Sequence, residues 1–317
     1  MYKTALTDLL GIEFPIIMAP MFLVSDAKMA IAAMQSGISA CIPAHNYRTD
    51  AEFRKAIQEM RVGAKGSLGI NLITNKSNIH YESQLKTCVE LKVDYIITSL
   101  GSPEKVIQAC KPHGIKVICD VIDEIFAQKV EAMGADALIA VNNIAGGHAG
   151  KLSPEELIPL LVKTCKIPVI SAGGVGNRKQ LEHMISLGAC GVSIGSPFIA
   201  TTEAPVNQAY KQAIVDYGAK DIVMTTKISG TPCAVINTPY VQEIGTEQNW
   251  LEKLLNNNKT LKKWVKMLTF YKGMKALEKA AMGATYQTVW CAGQSIEDVH
   301  SIRSIKEVVA GLLRIEK

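Results

Sequence analysis

His148 is the residue whose setting is best suited to chemistry. It lies in the glycine-rich stretch AGGHAG, residues 145–150, directly after an apolar run. An imidazole can act as a general base or as a hydrogen-bond donor near neutral pH, and the glycines beside it allow a ligand to approach closely. We therefore interpret His148 as a catalytic residue. The other histidines lack this setting, although His45 also follows a predicted strand.

Two glycine-containing turns point to a phosphate site. Ala172, Gly173 and Gly174 end one apolar run, and Gly195 and Ser196 end the next. Glycine lets backbone N–H groups reach a phosphate without an obstructing Cβ atom, and a helix that begins there adds a favourable dipole. The alternative is that these glycines only form tight turns.

Contacts with a planar ligand are suggested by residues in three further apolar runs. Ala19, Pro20 and Met21 end the first run, where a small residue and a proline favour a rigid, flat backbone. Asn71 and Asp120 are polar residues within apolar runs, and buried polar groups need hydrogen-bond partners. The edge of a cofactor ring can supply such partners. For Asn71, a hydrogen bond between strands is the alternative.

The elements that must position these residues are eight apolar runs, which alternate with amphipathic helical stretches. Near-continuous apolar runs are typical of parallel strands that are buried on both faces. The predicted strands cover residues 15–20, 39–44, 67–73, 95–101, 116–122, 137–143, 168–174 and 191–197.

Eight βα units in series predict an α/β fold, a (βα)8 TIM barrel. The alternative is an open doubly wound sheet, which usually has about five or six strands and a GxGxxG turn after the first one. No such turn follows the first predicted strand. Because function in a barrel collects on the loops after the strands, this architecture brings the candidate residues to one end.

Helix signals support the same architecture. Residues 26–36 have apolar residues at helical spacing and stop at Gly37. The predicted helices 103–112 and 154–164 each open with a serine followed by a proline, which is typical of an N-cap and the first helical position.

The chain is predicted to be a single structural unit with two parts. Residues 1–200 form the barrel core, and residues 201–317 form a helical appendage that covers the barrel mouth and closes the ring. Residues 228–242 contain two prolines and are predicted to form a loop. Helices are predicted from about 248 to 283 and from about 303 to 315.

The composition indicates a large core and excludes several functions. Of 317 residues, 48% are hydrophobic, and the net charge of +5 is too mild to indicate nucleic-acid binding. Neither a membrane helix nor a signal peptide is predicted. The eight cysteines form no C-x-x-C pair, which favours reduced thiols in a cytoplasmic protein. The strand ends also lack the clusters that a metal-dependent hydrolase needs, so no metal is expected.

Several motifs together resemble a known family. In chain order they are PIIMAPM, GIN, AGGHAGKL, PVISAGGVGN, GACGVSIGSPFIAT and CAGQS. Their order and spacing are similar to those of the nitronate monooxygenases, formerly 2-nitropropane dioxygenases, and of the related FMN-dependent enoyl-ACP reductases. The resemblance covers nearly the whole chain, and AGGHAG is its most specific element.

The resemblance implies that the barrel binds FMN. By position, it implies that Ala19, Pro20 and Met21 lie along the isoalloxazine ring, that Asn71 reaches the ring or the ribityl chain, and that Gly146 lies near the ring. The residues that it implies for the phosphate are Ala172, Gly173, Gly174, Gly195 and Ser196.

The family pattern also implies where substrate would lie. His148 would face the N5 side of the flavin, and Gln294 of the AGQ element would lie near the site. Asp120 would lie at the cofactor, where some nitronate-oxidising relatives have lysine. A carboxylate there opposes an anionic reduced flavin unless it is protonated or turned away. Two further departures are Met18 in place of glutamine and Ile144 in place of glutamate.

Three functions are consistent with this sequence. The first is oxidation of alkyl nitronates with O2. The second is an enoyl-ACP or quinone reductase that takes electrons from NADH or NADPH, with the basic run between Lys253 and Lys275 docking an acyl carrier protein. That run can also be a solvated helix face. The third is a non-catalytic FMN- or phosphate-binding module. The substrate is expected to be a small molecule, and a homodimer is one alternative for the oligomeric state.

Overall fold

The computed structural model describes residues 3–75, 78–227, 231–247 and 289–313. Eight parallel strands form a closed barrel in chain order, which confirms the predicted fold class. A short strand outside the barrel, β7 (Gly147–His148), lies between the sixth and seventh barrel strands. The barrel strands are β1 (Ile16–Met18), β2 (Ser39–Pro43), β3 (Leu68–Ile73), β4 (Tyr95–Ser99), β5 (Lys116–Val121), β6 (Ala137–Val141), β8 (Val169–Ala172) and β9 (Gly191–Ile194).

The barrel is closed by β1, which pairs with β2 on one side and with β9 on the other. Ile17 is the Cα partner of Ser39 in β2 and of Ser193 in β9. Each predicted strand coincides with an observed one, and the observed strands are shorter at their ends. The difference falls mostly on glycine, proline and polar residues, with Ala19, Ala44, Leu100 and Ile122 as the apolar exceptions.

Helices surround the barrel. In addition to short 3-10 turns at Ala44–Asn46, Lys111–His113, Ala219–Asp221 and Gln294–Asp298, the described helices are α1 (Ala5–Leu10), α2 (Ala27–Gln35), α3 (Asp50–Gly63), α4 (Tyr81–Glu90), α5 (Glu104–Cys110), α6 (Glu124–Met133), α7 (Pro154–Thr164), α8 (Arg178–Ser186), α9 (Ser196–Ile199), α10 (Gln208–Asp216), α11 (Pro239–Ile244) and α12 (Ile305–Leu313). None of these described helices is long and apolar enough to cross a membrane.

Helix α7 begins as its sequence predicts. Ser153 is the N-cap, and its Oγ accepts a hydrogen bond from the Glu156 backbone N–H at 3.3 Å. The Glu156 carboxylate in turn accepts from the Ser153 N–H at 2.9 Å. Such a cap stabilises a helix by about 1 kcal/mol. In α5 the cap position is taken by Pro103 rather than by the predicted Ser102.

The hydrophobic core has two layers. The larger layer fills the space between strands and helices. The smaller one fills the barrel interior with side chains such as Ile97, Ile118 and Ile170. Leu6 and Leu10 of α1 belong to this inner cluster and seal the amino end of the barrel. Because the interior is packed, a ligand site can open only at the carboxyl ends of the strands.

The region after residue 200 contains strands as well as helices. Strands β10 (Ile222–Thr225) and β11 (Cys233–Ile236) pair antiparallel, and β11 also pairs with β7. The prediction of a loop over 228–242 is therefore wrong for β11. Its apolar side chains are buried in a separate small cluster, and the prolines that suggested a loop, Pro232 and Pro239, flank the strand instead of interrupting it.

The end of the chain returns to the barrel. Helix α12 packs against α2 and α8, so it lies between the helices of the first and seventh βα units of the ring. Its bounds, Ile305–Leu313, agree with the predicted helix at about 303 to 315. The helices predicted at about 248 to 283, and the basic run within them, lie outside the described residues.

Candidate functional site

A cavity of about 770 Å³ opens at the carboxyl ends of the barrel strands, within the range of small-molecule and cofactor sites. Most of the residues that the sequence nominated line it. They are Ala19, Pro20, Met21, Asn71, Asp120, Gly146, His148, Ala172, Gly173, Gly174, Gly195 and Ser196. Gln294 is exposed and is not part of the lining, whereas its neighbour Ser295 is.

The turn after β8 requires glycine. Gly173 and Gly174 have φ values of +110° and +79°, a region that residues with a side chain rarely adopt. A Cβ atom on Gly173 would lie 2.3 Å from Oδ1 of Asn142. Asn142 follows β6, and its Nδ2 donates to the carbonyl oxygen of Gly173 at 3.1 Å. The loops after β6 and β8 are therefore packed together without space for a side chain.

The turn after β9 is tied to a distant segment of the chain. The Gly293 backbone N–H donates to Ser196 Oγ at 2.8 Å. A Cβ on Gly146 would lie 2.7 Å from that same Gly293 nitrogen. These contacts hold Gly146, Ser196 and Gly293 in one wall of the cavity. Because the Ser196 hydroxyl accepts from Gly293, its own hydrogen can point to a ligand.

A chain of hydrogen bonds crosses the floor of the cavity. Asn71 Nδ2 donates to Ser99 Oγ at 2.7 Å, and Ser99 Oγ donates to Asp120 Oδ2 at 2.5 Å. Burial raises the pKa of Asp120 to about 6, although the bond from Ser99 opposes this. The sequence nominated Asn71 and Asp120 but not Ser99. The signal for Ser99 was a hydroxyl at the end of the apolar run YIITS.

His148 is presented to the cavity by β7. Its backbone is paired with Cys233 of β11, and its side chain belongs to the cavity lining. His148 is an exposed residue, but the surrounding protein removes enough water from the imidazole to lower its pKa below the ordinary value. The ring is therefore neutral at neutral pH, a state in which one nitrogen can donate and the other can accept.

A second histidine, His45, also lines the cavity. It follows β2, and its ring centroid lies 5.7 Å from that of Phe22. Nδ1 of His45 is buried and has no hydrogen-bond partner within the described part of the protein. Burial, together with the nearby His80, lowers the pKa of His45. The sequence gave His45 less weight because no glycines surround it.

The remaining walls are mostly apolar. Phe22, Leu100, Ile122 and Phe126 line the cavity, and such side chains keep water away from bound ligands. Leu100 has a φ of +61°, which is a strained backbone conformation for leucine. Such strained conformations are concentrated at binding sites. Among the described lining residues there is neither lysine nor arginine, so a phosphate here would be bound by backbone N–H groups and hydroxyls.

The cavity wall also includes a pair of cysteines that the sequence did not nominate. Cys233 and Cys291 both line the cavity, and their Sγ atoms lie 3.6 Å apart. They are far apart in the chain, so only the tertiary fold reveals their proximity. Within the described residues, no group of three side chains that could hold a metal ion is present.

Comparisons with known proteins agree with this architecture. The family model for nitronate monooxygenases matches residues 3–314. A nitronate monooxygenase from Paraburkholderia phytofirmans is 28% identical over 274 residues, which are 72% of this chain and 75% of that protein. A similar structure is FabK from Thermotoga maritima, with a TM-score of 0.86 and 29% identity, covering 99% of this chain and 96% of that one.

A third relative bears a different name. It is the (3aS,4S,5R,7aS)-5-hydroxy-7a-methyl-1-oxo-octahydro-1H-indene-4-carboxyl-CoA dehydrogenase of Rhodococcus jostii. It is 28% identical over 242 residues, which are 76% of this chain and 68% of that protein. Relatives at similar identity therefore carry different activities, and identity alone does not choose between them.

Proposed function

This chain belongs to the nitronate monooxygenase family, and from that premise we propose that it is an FMN-dependent oxidoreductase that oxidises alkyl nitronates with O2. The observation that carries the proposal is the position of His148 in a largely apolar cavity that is also lined by the glycine turns after β8 and β9. The enzyme class follows from the family, whereas the substrate and cofactor are proposed from the site.

The volume and the lining residues of the cavity support FMN as the cofactor. Its phosphate end would be held by the backbone of Gly173 and Gly174 after β8 and by the Ser196 hydroxyl after β9, all of which belong to the cavity lining. The flat backbone at Ala19 and Pro20 would lie along the ring system. When bound, FMN supplies the electron transfer that amino-acid side chains cannot perform.

His148 would position the substrate. A nitronate already carries a negative charge, so its oxidation requires little base catalysis. The neutral imidazole can donate a hydrogen bond to a nitronate oxygen and so orient the carbon towards the flavin. The apolar walls would surround the alkyl group and exclude water. A neutral His148 is the state that its lowered pKa favours at neutral pH.

Asp120 would contribute a proton or a hydrogen bond at the cofactor. With a pKa of about 6, its carboxyl group is protonated below pH 6 and ionised above it. In the protonated state it does not oppose a negative charge on the reduced cofactor. Ser99 and Asn71 orient it by their chain of hydrogen bonds. This acid distinguishes the present chain from relatives with lysine at this position.

A second candidate function is an enoyl-ACP or quinone reductase that uses NADH or NADPH. The observation that favours it is the likeness to FabK across almost the whole of both chains. Asp120 also favours it, because it departs from the lysine of some nitronate-oxidising relatives. A reductase would accept a thioester or a quinone in the same apolar cavity. Docking of an acyl carrier protein on the basic run concerns residues outside the described ones.

Anaerobic addition of electron donors distinguishes the candidates. The purified protein should show the visible spectrum of a flavin, and the released cofactor should be FMN rather than FAD. An alkyl nitronate should then bleach the spectrum, and admission of air should restore it with uptake of O2. Rapid bleaching by NADH or NADPH, with none by the nitronate, would reject the first candidate in favour of the reductase. A colourless protein that does not bind added FMN would reject both.

A further inference from the structure

Cys233 and Cys291 form a close pair of thiols on the cavity wall. Their Sγ atoms are 3.6 Å apart, and the residues are separated by 58 positions in the chain. Cys233 is almost fully buried, whereas Cys291 is only partly buried. Both residues belong to the lining of the cavity. A small molecule in the cavity can therefore reach Cys291, the more exposed member of the pair.

The backbone around the two cysteines is firmly held. Val235 and Cys291 form an antiparallel bridge, and the Ile236 N–H donates to the Trp290 carbonyl at 2.9 Å. The Tyr210 hydroxyl donates to the carbonyl oxygen of Cys291 at 2.6 Å. These bonds fix the two chain segments relative to each other. The proximity of the sulfurs is thus part of the fold and does not depend on flexible side chains alone.

The two sulfurs are within reach of a covalent bond. A disulfide requires them to be about 2.0 Å apart, so the sulfurs must approach each other by about 1.6 Å through rotation of the side chains. The pKa of the Cys291 thiol is raised well above its ordinary value, mainly by the hydrogen bond with Cys233 and to a smaller extent by burial. Both cysteines are unbridged in this structure, and the Cys291 thiol must lose its proton before its sulfur can attack an oxidant.

We propose that Cys233 and Cys291 are a disulfide-forming pair that is oxidised by hydrogen peroxide in the cavity. Reduced flavins yield hydrogen peroxide when O2 reoxidises them, and this source of oxidant rests on the proposed function. The oxidation itself needs only the two thiols and peroxide.

The reaction balances in two steps. The sulfur of Cys291, which is the more accessible of the two, attacks one oxygen of peroxide. The O–O bond breaks, a sulfenic acid forms, and the other oxygen leaves as water with the thiol proton. The sulfur of Cys233 then attacks the sulfenic sulfur, the S–S bond forms, and the S–O bond breaks to release a second water. Two thiols and one peroxide give one disulfide and two waters.

The bond would restrain the wall that presents His148. Cys233 is the strand partner of His148, and Cys291 lies in the segment whose Gly293 packs against Gly146. A disulfide would join these two parts of the wall covalently. Peroxide formed during turnover would thus produce a disulfide beside the catalytic histidine, and thiol reductants would reverse it.

The test is peptide mapping after addition of hydrogen peroxide to the purified full-length protein. After oxidation and alkylation of the remaining thiols, we expect two fewer free thiols per chain and a crosslinked peptide that contains Cys233 and Cys291. Dithiothreitol should release it. Cys233→Ser and Cys291→Ser should each abolish this crosslink. Cys190→Ser is the matched control, because Cys190 is also partly buried but is not the partner in this thiol pair; the crosslink should persist in it.

Two results would overturn the proposal. One is oxidation of Cys291 to sulfinic or sulfonic acid in the native protein without any crosslinked peptide. The other is a set of crosslinks spread equally over several cysteine pairs, as expected for an unfolded chain. Peptide mapping of the peroxide-treated wild-type protein tests the proposal even if a serine variant fails to fold. Because the peroxide is added directly, the outcome is independent of whether the protein oxidises nitronates.

Discussion

The side chain and the backbone of His148 have separate roles, because the imidazole lines the cavity while the backbone pairs with β11. Its role in the proposed reaction is tested by His148→Ala, which removes the imidazole and leaves the β7 pairing to the backbone. We expect kcat/KM for an alkyl nitronate to fall by about 10²-fold or more, while the FMN content stays unchanged. The measurement is steady-state O2 uptake together with the flavin absorbance.

His113→Ala is the control for this substitution, because His113 is exposed and precedes β5 at the opposite end of the barrel. It should leave kcat/KM unchanged. If His148→Ala retained full activity, the assignment of His148 to the substrate would be wrong.

The raised pKa of Asp120 should make the free energy of unfolding depend on pH. Its pKa in the folded protein, about 6, lies above the ordinary value of 3.8. Since the folded state then binds the proton more tightly, stability should fall as pH rises from about 4 to about 6 and stay lower above that. Asp120→Asn should therefore stabilise the protein by at most about 3 kcal/mol at pH 8 and not at all near pH 4.

Urea unfolding at the two pH values, without added FMN, measures this effect. Asp216→Asn is the control, because Asp216 is exposed and its carboxylate meets water in both states. An equal effect of Asp120→Asn at both pH values would contradict the raised pKa.

At the residue scale, the sequence was informative where chemistry and chain position coincide. His148, Asn71 and Asp120 follow or interrupt apolar runs, so the strand pattern alone brought them to the cavity. Ser99 became visible only through its hydrogen bonds to two neighbouring strands. Cys233 became visible only through a strand pairing that the sequence pattern does not specify.

The turn after β8 is the element on which the phosphate proposal depends. Gly173→Ala adds a Cβ at a φ of +110° and within 2.3 Å of Asn142 Oδ1. We expect a loss of FMN affinity of about tenfold, equivalent to about 1.4 kcal/mol, because Asn142 or the turn must move. Fluorescence titration of the protein with FMN measures the affinity.

Gly114→Ala is the control that separates the effect of backbone strain from the collision of a Cβ atom with Asn142. Gly114 also has a positive φ, +71°, but a Cβ there would meet nothing within 4 Å. The substitution should lower stability by about 1–2 kcal/mol through strain alone and leave FMN affinity unchanged. Equal FMN affinities in the two variants would argue against the turn after β8 as the phosphate site.

At the element scale, the sequence pattern predicted the eight barrel strands because each is mostly apolar and helical stretches separate them. The same reasoning missed β11. It has only four residues, and the prolines near it indicated a loop. Its conformation is determined by partners on both sides, β10 and β7, and partners distant in the chain leave no local periodicity.

The whole molecule should be stabilised by its cofactor through mass action. A ligand that binds only the folded state at 100 times its Kd adds about 2.7 kcal/mol to the free energy of unfolding. We expect FMN to raise the unfolding temperature of the cofactor-free protein, and riboflavin, which lacks the phosphate, to raise it less. Thermal unfolding at equal ligand concentrations measures both. Equal increases would show that the glycine turns do not bind the phosphate.

The pairing of β7 with β11 also joins residues that are synthesised at different times. A ribosome releases His148 long before it releases Cys233, the residue opposite it in the sheet, and the Gly293 that packs on Gly146 emerges later still. The early part of the chain contains every barrel strand but not the segments that pack against the His148 loop. During translation, the nascent barrel therefore carries His148 before its strand partner exists, and the contacts of this loop are complete only after Gly293 has been added.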